Sequence, residues 1–180
     1  MAEEKNVKQL LKQIKAMVFD VDGVLTDSSI ILMPNGELVR TMNMRDSIAM
    51  RLAVKNGYQL CIITGGNSQA VKQRLNRLGI SDVYLKTENK LDALKEFVAI
   101  YELQLSEVLY MGDDLVDYEP MSKVGLPVCP KDAVQEIKNI SLYISPVEGG
   151  KGCVREVIEQ VMNVIIGKIK VDRAPCFLAL

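Results

Sequence analysis

The segment Ala16-Met17-Val18-Phe19-Asp20-Val21-Asp22-Gly23-Val24-Leu25-Thr26-Asp27 decides the fold. A short apolar run leads straight into two acids and a glycine, the pattern of a buried strand that ends in a turn. Residues two apart on a strand point the same way. Asp20 and Asp22 are therefore expected to emerge together at the strand's C-terminal end, the edge where open α/β sheets place their chemistry. One carboxylate there can attack while the other moves protons.

Outward from this segment, apolar runs alternate with helical patterns. Strands are expected near Ala16–Asp20, Gln59–Thr64, Val83–Leu85, Val108–Met111 and Leu126–Val128. Helices are expected at Val7–Ile14, Asp46–Asn56, Ser68–Leu78, Lys90–Tyr101, Asp114–Val124, Val134–Lys138 and Cys153–Gly167. This rhythm predicts an α/β protein, a parallel sheet between helical layers, with right-handed crossovers gathering the strand ends on one edge. One segment breaks it. Around 29–42, two apolar stretches flank Pro34-Asn35-Gly36, a sequence with hairpin chemistry. Either a neighbouring subunit covers the apolar residues of this projecting β-hairpin, or the hairpin packs on its own domain as an ordinary edge. The last residues, about 170–180, are apolar without clear periodicity and read as a tail.

The chain's 180 residues suit a single domain, 1–180, with its own core. Four dispersed cysteines form no CxxC pair, which argues against zinc and disulfides and for a reducing, cytoplasmic setting. With 22 basic and 23 acidic residues, the net charge of -1 disfavours a nucleic-acid partner or a polybasic membrane anchor and points to a small molecule. Neither a signal peptide nor a membrane span is expected. The chain has no histidine, so its chemistry must come from carboxylates, lysine, arginine, hydroxyls and a hard cation.

Three later stations answer the opening acids. The strand at Leu60-Cys61-Ile62-Ile63 ends in Thr64-Gly65-Gly66, a hydroxyl and open backbone amides before a helix, suited to phosphate oxygens. Lys90 stands at a helix head and can set an ammonium at the same edge. Val108–Met111 ends in Gly112-Asp113-Asp114-Leu115-Val116-Asp117. Carboxylates so crowded repel one another and call for a cation, and an all-oxygen donor set favours Mg²⁺.

In this order, Asp20-x-Asp22, Thr64, Lys90 and Gly112-Asp113-Asp114-x-x-Asp117 resemble the haloacid dehalogenase (HAD) phosphatases. The resemblance implies a Rossmann-like three-layer α/β/α fold. It also implies Asp20 as nucleophile and Asp22 as the acid that protonates the leaving oxygen and then activates water. Mg²⁺ would be held by Asp20, the Asp22 carbonyl and Asp113; Thr64 and Lys90 would bind the phosphoryl group, and Asp114 and Asp117 would support the metal ligands.

Too few residues separate the stations for a cap domain, which implies the capless branch, where oligomerisation covers the site. From about Lys15 to Gly167 the chain resembles the 3-deoxy-D-manno-octulosonate 8-phosphate (KDO 8-phosphate) phosphatases of lipopolysaccharide synthesis. Besides the core motifs, Asn43-Met44-Arg45-Asp46, Asn89-Lys90-Leu91 and Gly149-Gly150-Lys151-Gly152-Cys153-Val154-Arg155-Glu156 carry the likeness. The resemblance implies substrate contacts at Asp22, Asn43, Met44, Arg45, Asp46, Ser47, Arg51, Gly65, Gly66, Arg74 and Lys90. It further implies a homotetramer in which one subunit's hairpin covers the next subunit's site. Arg155 is either structural or part of a neighbour's site. Gly66 departs from the arginine common at that position and from the glutamate of phosphatases acting on nine-carbon KDN 9-phosphate. Glycine there excludes neither sugar by charge, and the missing acid favours KDO 8-phosphate; a KDN or N-acetylneuraminate 9-phosphate phosphatase is the alternative substrate class, and a non-catalytic oligomerisation module the alternative outside enzymes. A phospho-accepting receiver domain would lack Asp22.

Overall fold

The computed structural model describes residues 2–166, so the tail at about 170–180 lies outside the described residues. In chain order the elements are α1 (Ala2–Leu11), β1 (Ala16–Phe19), β2 (Ile31–Leu32), β3 (Leu38–Val39), α2 (Met44–Lys55), β4 (Gln59–Ile63), α3 (Gln69–Asn76), β5 (Asp82–Tyr84), α4 (Lys90–Ile100), β6 (Val108–Met111), α5 (Tyr118–Met121), β7 (Leu126–Cys129), α6 (Gln135–Ile140), β8 (Tyr143–Ile144) and α7 (Cys153–Ile166).

The six main strands pair in the order β5-β4-β1-β6-β7-β8, all parallel, and β2 and β3 form a separate antiparallel hairpin. The strand order reverses between β1 and β6, and the crevice at such a switch point is where doubly wound sheets bind ligands. Alternation along the strands divides the core. Met17, Phe19, Leu60, Ile62, Leu109 and Met111 pack with α1, α2, α3 and α7. Ala16, Val18, Cys61, Ile63, Val108 and Tyr110 pack with α4, α5 and α6. The expected three-layer, capless architecture is present. Among the described residues no helix is long and apolar enough to cross a membrane.

Two expectations need correction. β8 is not anticipated, since it is only two residues long and both its own Ile144 and the preceding Leu142 are exposed, which erases the apolar signature of a buried strand. The helix expected over Asp114–Val124 shrinks to α5. A tight turn over Leu115–Asp117 precedes it and turns the Asp117 carboxylate inward, and Ser122 ends the helix with its hydroxyl on the Tyr118 carbonyl at 2.7 Å.

β1 stops at Phe19, and the chain then makes one wide turn in which the Thr26 N–H reaches the Val21 carbonyl at 3.0 Å. Gly23 sits in it at φ +87°, and a Cβ there would collide with the Asp113 carboxylate. Both the backbone angle and the close approach demand glycine. The turn also means that Asp22 is not a strand residue. The two-residue alternation does not extend to it, and the two acids reach the edge by different routes.

Candidate active site

Asp20 continues the parity of Ala16 and Val18, toward the layer that contains α4. Asn89 caps that helix, accepting from Leu91 N–H at 3.0 Å and Asp92 N–H at 3.3 Å, which leaves Lys90 as the first helical residue, at the sheet edge. Its ammonium is buried between Asp20 Oδ2 and Asp117 Oδ1, at 2.8 Å from each. Asp20 Oδ1 accepts from the Val21 N–H at 2.7 Å. Asp117 is held from both sides: the Tyr110 hydroxyl donates to Oδ1 at 2.9 Å and the Asp113 N–H to Oδ2 at 3.3 Å. Gly112 permits this fold-back, for a Cβ there would overlap the Asp117 side chain. Asp114 points outward and caps the following turn through Leu115 N–H at 2.7 Å.

Asp20, Asp113 and Asp117 each offer a carboxylate oxygen, all within 4.8 Å of one another. One lysine against these carboxylates leaves the cluster with surplus negative charge, and the acids respond. Burial, followed by the Asp20, Asp117 and Asp114 charges, pushes Asp113 up to about 8, with Lys90 opposing. Burial and the Asp117 charge likewise raise Asp20 well above the usual carboxylate range, against the pull of Lys90. Burial would lower Lys90, but Asp20 and Asp117 outweigh it and raise the ammonium. Both oxygens of Asp117 are engaged, whereas Asp113 Oδ1 is buried without a partner. The cluster therefore has an uncommitted oxygen at Asp113, beside Asp20, whose two oxygens carry one partner each; these are hard oxygens suited to a divalent cation.

Asp22, Thr64 and Gly66 share the adjoining crevice. The Thr64 backbone is pinned by Tyr84 O and Thr87 N–H at 3.0 Å each, and its buried hydroxyl accepts from Gly66 N–H at 3.1 Å. Gly65 is exposed beside it. The remaining candidates lie around α2. Asn43 caps that helix through Arg45 N–H and reaches the Gly150 carbonyl at 3.2 Å. Asp46 and Ser47 are buried. Asp46 Oδ1 accepts from the Arg155 N–H at 2.7 Å, docking α2 on α7, and burial raises its carboxyl to about 6. Arg74 Nη2 lies 3.2 Å from Met44 Sδ. Arg45 lines a separate surface cavity of about 400 Å³ with Lys151 and Arg155, and Arg51 is exposed on α2. A larger cavity of about 480 Å³, walled by residues such as Lys12, Tyr58 and Gln59, includes none of the acids.

Two residues of the site carry little signal in the sequence. Tyr110 lies within an expected strand, and its hydroxyl, on the face toward Lys90, is the only mark of its part in the site. Arg40 closes on Asp22 from the hairpin, at 2.6 Å and 3.0 Å. Nothing in the sequence ties it to an acid 18 residues away.

Known proteins carry the same frame. Residues 76–157 match the model of the haloacid dehalogenase-like hydrolases. The 3-deoxy-D-manno-octulosonate 8-phosphate phosphatase KdsC of Escherichia coli K12 is 35% identical over 163 residues, 91% of this chain and 85% of its own. The crystal structure of the 3-deoxy-D-manno-octulosonate 8-phosphate phosphatase from Yersinia pestis superposes with a TM-score of 0.86 at 34% identity, covering 88% of this chain and 86% of that one. A Moraxella catarrhalis phosphatase of that name, solved with magnesium, phosphate and KDO, gives a TM-score of 0.86 at 32% identity over 89% of this chain and 92% of its own. Identity at this level over nearly the whole chain settles membership: the chain belongs to the haloacid dehalogenase-like hydrolases, in the family of the KDO 8-phosphate phosphatases.

Proposed function

We propose that this chain is a Mg²⁺-dependent phosphomonoesterase that hydrolyses 3-deoxy-D-manno-octulosonate 8-phosphate to the free sugar acid and inorganic phosphate. The observation that carries this reading is the buried cluster of acids around Lys90, with an unpartnered Asp113 oxygen, in a chain so similar to enzymes named for that substrate. Asp20, Asp113 and the Asp22 carbonyl would hold the ion, which when bound offsets the negative charge shared by nucleophile and substrate.

Asp20 attacks phosphorus. A bond from its carboxylate oxygen forms as the bond from phosphorus to the sugar oxygen breaks, and that oxygen takes a proton from Asp22. A water molecule next gives a proton to Asp22 and attacks phosphorus, releasing phosphate and restoring Asp20. Thr64 and Lys90 hold the phosphoryl oxygens as charge develops on them. Asp117, fixed by Tyr110 and by the Asp113 N–H, positions Lys90, and Asp114 supports the loop. Contacts to the sugar acid are assigned to Asn43, Met44, Arg45, Arg51, Gly65, Gly66 and Arg74, although Arg45 lines a separate surface cavity in the single chain; the substrate's carboxylate suits a guanidinium fork. Asp46 and Ser47, expected as substrate contacts, are buried and instead hold the start of α2, Asp46 by accepting from the Arg155 N–H. A screen of phosphorylated sugar acids with released phosphate as readout tests the assignment. The eight-carbon substrate is expected to give the highest kcat/KM, and preference for a nine-carbon acid would sink it.

We also infer a single domain whose site is completed by a second copy, in a cytoplasmic homotetramer. Ile31, Leu32 and Leu38 on the hairpin and Met44, Ile48 and Leu52 on α2 are all exposed in one chain, Leu32 at 76%. That is more apolar surface than a free hairpin leaves in water. Sedimentation velocity is expected to give a tetramer of 20.0 kDa chains. Leu32→Asp is expected to shift it toward smaller species and to lower turnover. A fully active monomer would refute the shared lid.

A further inference from the structure

Arg40 follows β3 directly, and its side chain turns inward until only 7% of it is exposed. Nε donates to Asp22 Oδ1 at 2.6 Å, Nη2 to Oδ2 at 3.0 Å, and Nη1 to the Leu38 carbonyl at 3.1 Å. The guanidinium fork thus takes both oxygens of one carboxylate. Two consequences set this pair apart from an ordinary structural ion pair. The crevice it closes, walled by Val21, Asp22, Thr64, Gly66 and Ser68 among others, keeps only about 10 Å³, room for at most about one water. Yet Thr64 is a group that a phosphoryl oxygen has to reach. Moreover, a carboxyl whose two oxygens both accept from a guanidinium has neither free to donate a proton to a leaving group. Arg40 must therefore move in each turnover, and a buried guanidinium does not move without a new anion to meet.

We propose that Arg40 is a substrate-binding residue: when substrate enters, its guanidinium leaves the Asp22 carboxylate for the phosphoryl oxygens, and it returns when phosphate departs. The inference rests on the phosphatase reading given above. The exchange conserves hydrogen bonds, because a fork that spans a carboxylate also spans two phosphoryl oxygens. Release of Asp22 is then coupled to occupancy of the site. Gly66 keeps the place open. A Cβ there would stand 3.6 Å from Arg40 Nη2 and 3.3 Å from Thr64 Oγ1, so a longer side chain would contest the guanidinium's seat. Because β3 carries Arg40, the hairpin reports on its own site as well as on any neighbour it covers.

The test titrates inorganic phosphate, calorimetrically, into Mg²⁺-loaded wild type, Arg40→Ala and Arg40→Lys. Alanine is expected to weaken phosphate about tenfold or more, and lysine, which keeps the charge but not the fork, to recover part of that loss. In turnover, KM is expected to rise for the sugar phosphate and equally for para-nitrophenyl phosphate, which lacks a carboxylate. Binding of the free sugar acid, which lacks a phosphate, is expected to be unchanged. Should the alanine variant melt early, Arg40→Gln, which keeps the bulk and a hydrogen bond to Asp22, takes its place. Phosphate affinity equal to wild type or tighter overturns the proposal, as does a loss confined to the free sugar acid. A wild-type protein that binds neither phosphate nor Mg²⁺ overturns the phosphatase reading instead.

Discussion

Asp20→Asn is expected to lower phosphate release by roughly a thousandfold or more while leaving the fold and the oligomer intact. The amide oxygen is a poor nucleophile and forms no stable ester with phosphorus. It is nearly the same shape as the carboxylate, but its single oxygen can accept from only one of the Val21 N–H and the Lys90 ammonium, the partners now at 2.7 Å and 2.8 Å on separate oxygens, and its NH2 faces the other. Stability should move in a direction set by the charges. Burial and the Asp117 charge raise the Asp20 carboxyl in the folded chain. The folded state therefore holds that proton more tightly than the unfolded one, and stability is lost as pH rises from the ordinary carboxylate value through the raised folded one. The asparagine variant escapes this loss, so its Tm relative to that of wild type is expected to improve from acid toward neutral pH. Single-turnover phosphate release and thermal melts across pH check both halves. Near-normal release from the variant would remove Asp20 from the role of nucleophile, and an early melt at every pH would make its carboxylate a structural necessity.

Much of this site was legible because its signals are local. A strand that ends in acids, a threonine before glycines, a lysine behind a capping asparagine and a glycine before a string of aspartates each mark a strand end or helix start. The parallel sheet then carries them to one edge. The partners that tune these groups were less visible. Tyr110 reads as one more large residue in a buried strand, and only the fold brings its hydroxyl to Asp117. Arg40 meets Asp22 because a wide turn after β1 re-aims that acid away from the strand's alternation. That turn depends on Gly23, whose glycine signal says that the chain bends but not where the next carboxylate points. β8 was hidden for a different reason: at two residues on the rim of the sheet, it needs little apolar sequence.

Removal of divalent metal is expected to reduce turnover by roughly a thousandfold or more, and the pH dependence of metal binding should reveal which acids hold the ion. In the metal-free chain, burial and then the neighbouring carboxylates push Asp113 up to about 8, so at neutral pH this group holds a proton that a cation must displace. Mg²⁺ binding should therefore release protons: at least about one per ion near about pH 7 and fewer near about pH 9. Affinity should rise with pH until Asp113 is ionised and level off beyond. The same linkage fixes the stability of the two forms. The metal-free protein loses stability as pH climbs through the window between the ordinary carboxylate value and about 8, whereas the loaded protein, its Asp113 charge neutralised by the ion, loses less. The Tm gain on adding Mg²⁺ should accordingly be larger above this window than below it. Calorimetric titration in buffers of different ionisation heat counts the protons, and melts with and without Mg²⁺ measure the gain. Asp113→Asn should remove the tight binding and the proton release together, because the unpartnered carboxylate oxygen becomes part of a neutral amide. Mg²⁺ binding that is independent of pH, or intact in that variant, would move the metal away from Asp113.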